Sequence, residues 1–363
     1  MTQARSPLLR AITDRWLNVL LLAAPLSLFL RWQYGVSLWV FATSAVSLVP
    51  AAGLIGTATE HLARRAGPTL GGFLNATFGN AAELIIAWAA LSAGHTEVVK
   101  ASITGSIIGN LLLVFGASCL VGGFGHGTQR FNRMSASSAT VMLALAVAAL
   151  VMPATVDFFA FGSINARPEA IRHLSVWTSW VLLIVYLAGL VFAFRTNRDP
   201  LRQGGHHPPR LSVAAAVVLL SIGTLLTTIE AEILVRGLEP ALAQLGMTEL
   251  FAGVVVVALV GNAAEHYSAI AAAARNDMTL AIEISIGSSA QIALMVAPLL
   301  VLTSRALGTP MSLLFNPFEI AAIGLSVATV ALVANDGESN WLEGLQLLGL
   351  YVILSAAFYF IPG

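Results

Sequence analysis

Apolar runs of membrane-crossing length alternate with short polar clusters along almost the whole chain. A span of about 20 residues fits eleven times: near 16 to 30, 37 to 56, 69 to 93, 98 to 122, 135 to 155, 175 to 194, 211 to 235, 248 to 272, 279 to 302, 318 to 334 and 341 to 361. The connecting segments carry turn-forming residues, as at Ala66-Gly67-Pro68, Gly122-Gly123-Phe124-Gly125 and Gly204-Gly205-His206-His207-Pro208-Pro209. The last of these reads as a linker between two halves. The predicted fold is therefore an all-α polytopic membrane protein.

Within this pattern one polar motif stands out, because it interrupts an apolar span and then recurs. Gly79-Asn80-Ala81-Ala82-Glu83 reappears as Gly261-Asn262-Ala263-Ala264-Glu265, and Gly105-Ser106 reappears at the same offset as Gly287-Ser288. The motif spans are the third and the eighth, so an odd number of crossings separates them and they run in opposite directions. That predicts one N-terminal helix (1–34) followed by two inverted five-helix repeats, 35–200 and 201–363, an architecture that places substrate near the midplane. A parallel duplication is the alternative, and a count different by one helix would produce it.

Composition excludes a soluble domain: 57% of residues are hydrophobic and only 10% charged, against a charged share of about 25% in soluble proteins. Lys plus Arg equals Asp plus Glu, so no net charge draws the chain to nucleic acid. The distribution of charge carries more. With the N-terminus in the cytoplasm, Arg5, Arg10, Arg15, Arg64, Arg65, Arg130, Arg133, Arg195, Arg198, Arg202, Arg210 and Arg275 fall inside, and Arg31, Lys100, Arg167, Arg172, Arg236 and Arg305 fall outside. Basic residues favour the cytoplasmic face. Eleven spans then leave the C-terminus on the opposite side, and a bacterial inner membrane is the expected location. The single cysteine, Cys119, cannot form an intramolecular disulfide and reads as a packing residue. Asn75-Ala76-Thr77 matches a glycosylation sequon but lies inside a predicted span, and His206-His207 sits among prolines without other ligands.

An ionisable side chain at mid-bilayer costs at least about 2.5 kcal/mol, so two in equivalent positions point to function. Each Asn precedes its Glu by three, which sets amide and carboxylate on one helical face. Glu83, Glu265, Asn80 and Asn262, with Ser106, Ser288, Asn110 and Gln291 from the partner segments, form a set of hard oxygen donors suited to a divalent cation such as Ca²⁺. No thiolate suggests zinc or copper. For the Gly and Ser positions, close helix packing explains the pattern equally well. A carboxylate deprived of water prefers its neutral form, and a bound divalent cation reverses the preference. Ca²⁺ and H⁺ therefore compete for the same oxygens. His266, where the first motif has Leu84, is either a proton relay or an interhelical hydrogen-bond donor. Glu60, Glu230, Glu232 and Glu283 lie nearer span ends and read either as cation-attracting residues on gating helices or as ordinary solvated acids.

These paired motifs resemble the two signature regions of the Ca²⁺/H⁺ exchanger family of the cation/Ca²⁺ exchanger superfamily. The resemblance implies that Glu83 and Glu265 bind the cation and exchange protons, that the Asn, Ser and Gln residues above support them, and that His266 is the family histidine. It also implies that the second and seventh spans, with Glu60 and Glu232, are gating helices. The chain departs from the family pattern in having Val257-Ala258-Leu259-Val260 where a proline is usual, and in having only Asp199 against four arginines between residues 195 and 210.

The expectation is thus a Ca²⁺/H⁺ antiporter, not an enzyme, with Ca²⁺ and H⁺ as substrates, the bilayer as surroundings and no cofactor; homo-oligomerisation is left open. Alternatives are a Na⁺/H⁺ or K⁺/H⁺ antiporter on the same scaffold, a passive channel, and an intramembrane metal-dependent enzyme. The last gives no reason for two symmetric motifs.

Overall fold

The computed structural model describes residues 16–161, 167–196 and 211–361. Among the described residues the structure is helices joined by turns and short loops, with one short antiparallel pairing of Gln129-Arg130 with Glu338-Ser339. After a 3₁₀ turn at Trp16–Leu22 come α1 (Ala23–Tyr34), α2 (Leu38–Phe78), α3 (Ala81–Ser92), α4 (Thr96–His126), α5 (Arg133–Phe161) and α6 (Pro168–Thr196). The second half holds α7 (Val213–Arg236), α8 (Leu238–Leu245), α9 (Glu249–Gly261), α10 (Ala263–Ala274), α11 (Met278–Ser304), α12 (Pro317–Val333) and α13 (Trp341–Phe360). The predicted linker at 204–209 and the basic N-terminal residues lie outside the described residues.

Among the described residues, seven helices are long and apolar enough to cross a membrane, or eight if the bent pair α8 and α9 is one span. Eleven hydropathic segments yield fewer continuous spans because hydropathy reads through interruptions. The motif segments are each broken at the motif, leaving 12-residue helices α3 and α10, and α12 has only 17 residues. The two 12-residue helices have bounds displaced by the same 182 positions as the motifs.

Contacts group the chain into two compact units, each drawing on both halves: residues up to Ala89 with Val185–Leu245, and Ala90–Ile184 with Gly246–Gly363. In the first unit, α2 lies along α7. Leu54 and Ala58 from α2 pack with Leu211, Ala216 and Leu219 in a buried apolar cluster. At Gly67 the backbone takes φ 83°, ψ 174°, and α2 kinks there. That region of φ suits glycine because no Cβ clashes, and the following Pro68 disfavours a continuing helix. Arg65 in α2 donates to the Leu211 carbonyl at 3.0 Å, tying the segment before α7 to the same helix.

In the second unit, α4 and α9 meet backbone to backbone. A Cβ on Gly105 would come within 1.9 Å of the Val254 carbonyl oxygen, and one on Gly253 within 2.4 Å of the Ala101 Cβ. Small residues at these positions permit the approach, as is usual between membrane helices. Three π-turns interrupt this unit's helices, at Gly109–Val114 in α4, Ala252–Val257 in α9 and Ile292–Val296 in α11. Such turns rotate the residues beyond them relative to a regular helix and often accompany functional sites. Asn110 lies inside the first, and Gln291 immediately precedes the third.

Candidate cation site

Both motif glutamates occupy the first turn of a 12-residue helix, Glu83 in α3 and Glu265 in α10. There the helix dipole favours a negative group. The fully buried Asn262 joins α9 to α10 with φ −95°, ψ 3°. Its amide nitrogen bonds the Ala258 carbonyl at 3.1 Å, and its own carbonyl accepts from His266 at 2.9 Å. The interruption is therefore confined to one residue, in a segment without proline.

Around Asn262 the second unit assembles five of the predicted residues into one hydrogen-bonded chain. Asn262 Nδ2 donates to Ser106 Oγ at 2.8 Å and to the Ala258 carbonyl at 2.9 Å. Asn110 Nδ2 donates to Asn262 Oδ1 at 3.3 Å and to Ser288 Oγ at 3.2 Å. Ser288 Oγ in turn donates to Glu265 Oε2 at 2.6 Å. Four separate segments, on α4, α9, α10 and α11, thus converge on a single carboxylate.

The polarity of this chain follows from its two ends. A carbonyl only accepts, so the Ala258 oxygen fixes Asn262 with its nitrogen toward α9 and its oxygen toward Asn110. Asn110 must then present its nitrogen to Asn262. At the other end Ser288 spends its proton on Glu265 and is left to accept from the same nitrogen. The consequence falls on Asn110, whose Oδ1 takes part in none of these bonds. It is buried with no hydrogen-bond partner among the described residues. An orphaned buried acceptor costs about 1–3 kcal/mol and is the group expected where a ligand supplies the missing charge.

The other predicted residues are placed as follows. Asn80 is fully buried and Glu83 half-buried, both in the first compact unit. Gln291 is half-buried at the end of the regular part of α11. His266 is half-buried, and its Nε2 has no hydrogen-bond partner among the described residues. Glu283 is half-buried in the second turn of α11. Glu60 and Glu232 are exposed and paired with Arg64 and Arg236 one turn away. Such surface pairs contribute little to stability. Glu230 differs from both: it is fully buried, and Ser27 Oγ of α1 lies 2.8 Å from each of its carboxylate oxygens. Solvent does not reach it in this conformation.

Two buried carboxylates, Asp157 in α5 and Glu319, escaped the sequence reading. Glu319 is 1% exposed at the start of α12. Its Oε2 accepts from the Asn316 backbone at 2.9 Å, closing a capping box, and its Oε1 accepts from Thr104 Oγ1 at 2.8 Å. Thr104 is two residues before Ser106, so Glu319 holds the segment that carries Ser106. The Asn-Pro-Phe-Glu spacing at 316–319 is a helix-start signature visible in the sequence; the bond to Thr104 is not. Among the described residues no three His, Cys, Asp or Glu side chains converge as a metal centre. The cluster around Asn110 is instead one carboxylate with amides and hydroxyls, the donor types that suit hard cations.

The sequence model of the family described as sodium/calcium exchanger protein matches this chain twice, over residues 36–195 and 215–360. The chain belongs to that family. Among curated members, it is 41% identical over 360 residues to a Ca(2+)/H(+) antiporter of Aphanothece halophytica, covering 94% of this chain and 96% of the relative. It is 40% identical over 342 residues to the Ca(2+)/H(+) antiporter ChaA of Bacillus subtilis, covering 92% and 96%. Among solved exchanger structures, native YfkE superposes with a TM-score of 0.82 at 39% identity, covering 95% of this chain and all of that one. The H+/Ca2+ exchanger CAX shares the fold with a TM-score of 0.71 at 16% identity.

Proposed function

We infer that this protein is a secondary active antiporter that exchanges Ca²⁺ for H⁺ across a membrane by alternating access. The family membership and the names of its near relatives set the class. The observation that ties the class to residues of this chain is the oriented chain from Ala258 to Glu265, which leaves the Asn110 amide oxygen buried without a donor. The Glu265 carboxylate and the Asn110 carbonyl-type oxygen, which has no partner among the described residues, are the hard donors of this cluster that we assign to the cation.

We propose that Glu265 and Glu83 are the two carboxylates that bind Ca²⁺ or, alternately, protons. Asn110, Asn80, Asn262, Ser106, Ser288 and Gln291 complete or support the oxygen shell. In the described conformation Asn262 and Ser288 are engaged with protein partners, which suits them to orienting their neighbours. Ca²⁺ takes six to eight oxygens, so waters and backbone carbonyls supply the remainder. His266, with a buried nitrogen that has no hydrogen-bond partner among the described residues, is the proposed proton relay beside Glu265. The exposed Glu60 and Glu232 are proposed to attract cations at two mouths. Glu283 is proposed to do the same, and Glu230 takes the role of a buried anchor in the described conformation. For the finer architecture we propose eleven crossings in two inverted repeats with the N-terminus in the cytoplasm of a bacterial cell; the double family match and the 182-residue displacement of α3 and α10 support the repeat, and the distribution of basic residues supports the orientation.

The test is ⁴⁵Ca²⁺ uptake into proteoliposomes under an imposed pH gradient, for the parent chain, Glu83→Gln and Glu265→Gln. Uptake should require the gradient, vanish with a protonophore, and be lost in both variants. Gradient-driven Na⁺ or K⁺ flux without Ca²⁺ flux would overturn the substrate assignment, and unchanged flux in both variants would remove the glutamates from the site.

A further inference from the structure

A second polar site, distant in sequence from the motifs, lies where the first turns of α6 pass the end of α11. A cavity of about 290 Å³ opens there between the two helices and the segment after α11. Both helices are long and apolar enough to cross a membrane. The start of one and the finish of the other line this cavity, which places it at one end of the spans, where the hydrocarbon layer gives way to headgroups.

The cavity combines cationic donors with an apolar wall. Arg172 and His173 project from α6 and Arg305 from the end of α11. Arg305 is exposed and forms no ion pair among the described residues. Arg172 is partnered by Glu169 at 2.6 Å in an exposed pair, of the kind that contributes little and exchanges readily. Groups that would repel an anion are already used. The Thr303, Ser304 and Arg305 carbonyls accept bonds from Ala306, Leu307 and Gly308 at 3.0–3.2 Å. Ser304 Oγ donates to the Val301 carbonyl at 2.7 Å and accepts from Met311 at 2.9 Å. Val176, Val301 and Met311 form the apolar side.

Guanidinium groups match phosphate geometry, and basic pockets between membrane helices suit lipid headgroups. Further along the same face of α6, four and seven residues after His173, Trp177 and Trp180 are 71% and 52% exposed. Exposed tryptophans are characteristic of the membrane interface. We propose that this cavity binds the phosphate of an anionic phospholipid, with Arg305 and Arg172 as donors and the valine and methionine side chains against the glycerol and acyl groups. Glu169 is then a competitor of the lipid for Arg172.

The experiment follows the thermal unfolding of the detergent-purified full chain with phosphatidylglycerol, phosphatidylcholine or inorganic phosphate added, independently of transport. Phosphatidylglycerol should raise the midpoint and phosphatidylcholine should not. Apparent affinity for phosphatidylglycerol should fall about fivefold for each arginine removed in Arg305→Gln and Arg172→Gln, and rise in Glu169→Gln. Arg172→Lys with Arg305→Lys, which keeps both charges, should retain most of the effect and covers the case in which the glutamine pair folds poorly. An equal shift by phosphatidylcholine, or a phosphatidylglycerol effect unchanged by the substitutions, overturns the site. Saturation by inorganic phosphate with no competition from lipid overturns the lipid assignment.

Discussion

Replacing Asn110 with leucine separates an ion-binding role from a packing role, because only the first predicts that the response to Ca²⁺ is lost. The native side chain gives two interhelical hydrogen bonds of 3.3 and 3.2 Å, at the long end of the useful range. Bonds of this type in membrane proteins contribute about 0.6 kcal/mol each, so leucine forfeits roughly 1.2 kcal/mol by the same measure. Leucine also removes a buried oxygen that has no partner among the described residues, relieving about 1–3 kcal/mol, but it takes the Asn110 donor from the buried Asn262 Oδ1 and so strands an acceptor of the same kind at about the same cost. The two oxygens cancel, and the empty Asn110→Leu protein should unfold below the parent's midpoint by roughly the 1.2 kcal/mol of the lost bonds. Its response to Ca²⁺ should be lost. Ligand at a hundred times its dissociation constant stabilises the parent by about 2.7 kcal/mol, and the variant should show none of this and no pH-driven ⁴⁵Ca²⁺ uptake. Thermal unfolding in detergent with and without Ca²⁺, alongside proteoliposome flux, gives both readings. A Ca²⁺-induced rise in midpoint that survives in the variant, with flux falling only in proportion to folded protein, would show that Asn110 is interhelical glue and that its buried oxygen has been given the wrong meaning.

Three further outcomes follow from the same geometry. Gly105→Ala drives a methyl group into the Val254 carbonyl, 1.9 Å from its ideal position, and should cost about 1–3 kcal/mol as overpacking, read as a lower unfolding midpoint, whereas alanine at Gly109, which meets nothing within 4 Å, should not. Glu319→Leu strands the Thr104 hydroxyl and the Asn316 amide and should lose about 1–3 kcal/mol, while Glu319→Gln, which keeps an accepting oxygen, should lose less; equal losses would mean that the Thr104 bond is immaterial. Ser27→Ala deprives the buried Glu230 of a hydroxyl partner and should destabilise by about 1–3 kcal/mol, and an unchanged midpoint would place that partnership outside the folded protein in solution.

The sequence alone determined the membrane class, the pairing of the motifs and the donor types of the proposed site. These are local or periodic properties. Hydropathy is a sum over a window, the 182-residue offset is a comparison of strings, and an Asn three residues before a Glu shares its face whatever the helix packs against. Tertiary structure alone decided which atoms are available. Glu230 and Glu232 are two residues apart and look alike as acids near a helix end. A separation of two residues turns them about 200° apart on the helix, so one is buried on Ser27 and the other pairs with Arg236 at the surface. Glu319, in a segment with no motif, became a buried partner of Thr104 only when α12 packed beside α4. The compact units cut across the sequence halves because contacts follow packing, not chain order. The direction of the amide chain depended on one backbone carbonyl, Ala258, which can only accept; through Asn262 it turns the Asn110 nitrogen inward and leaves its oxygen bare.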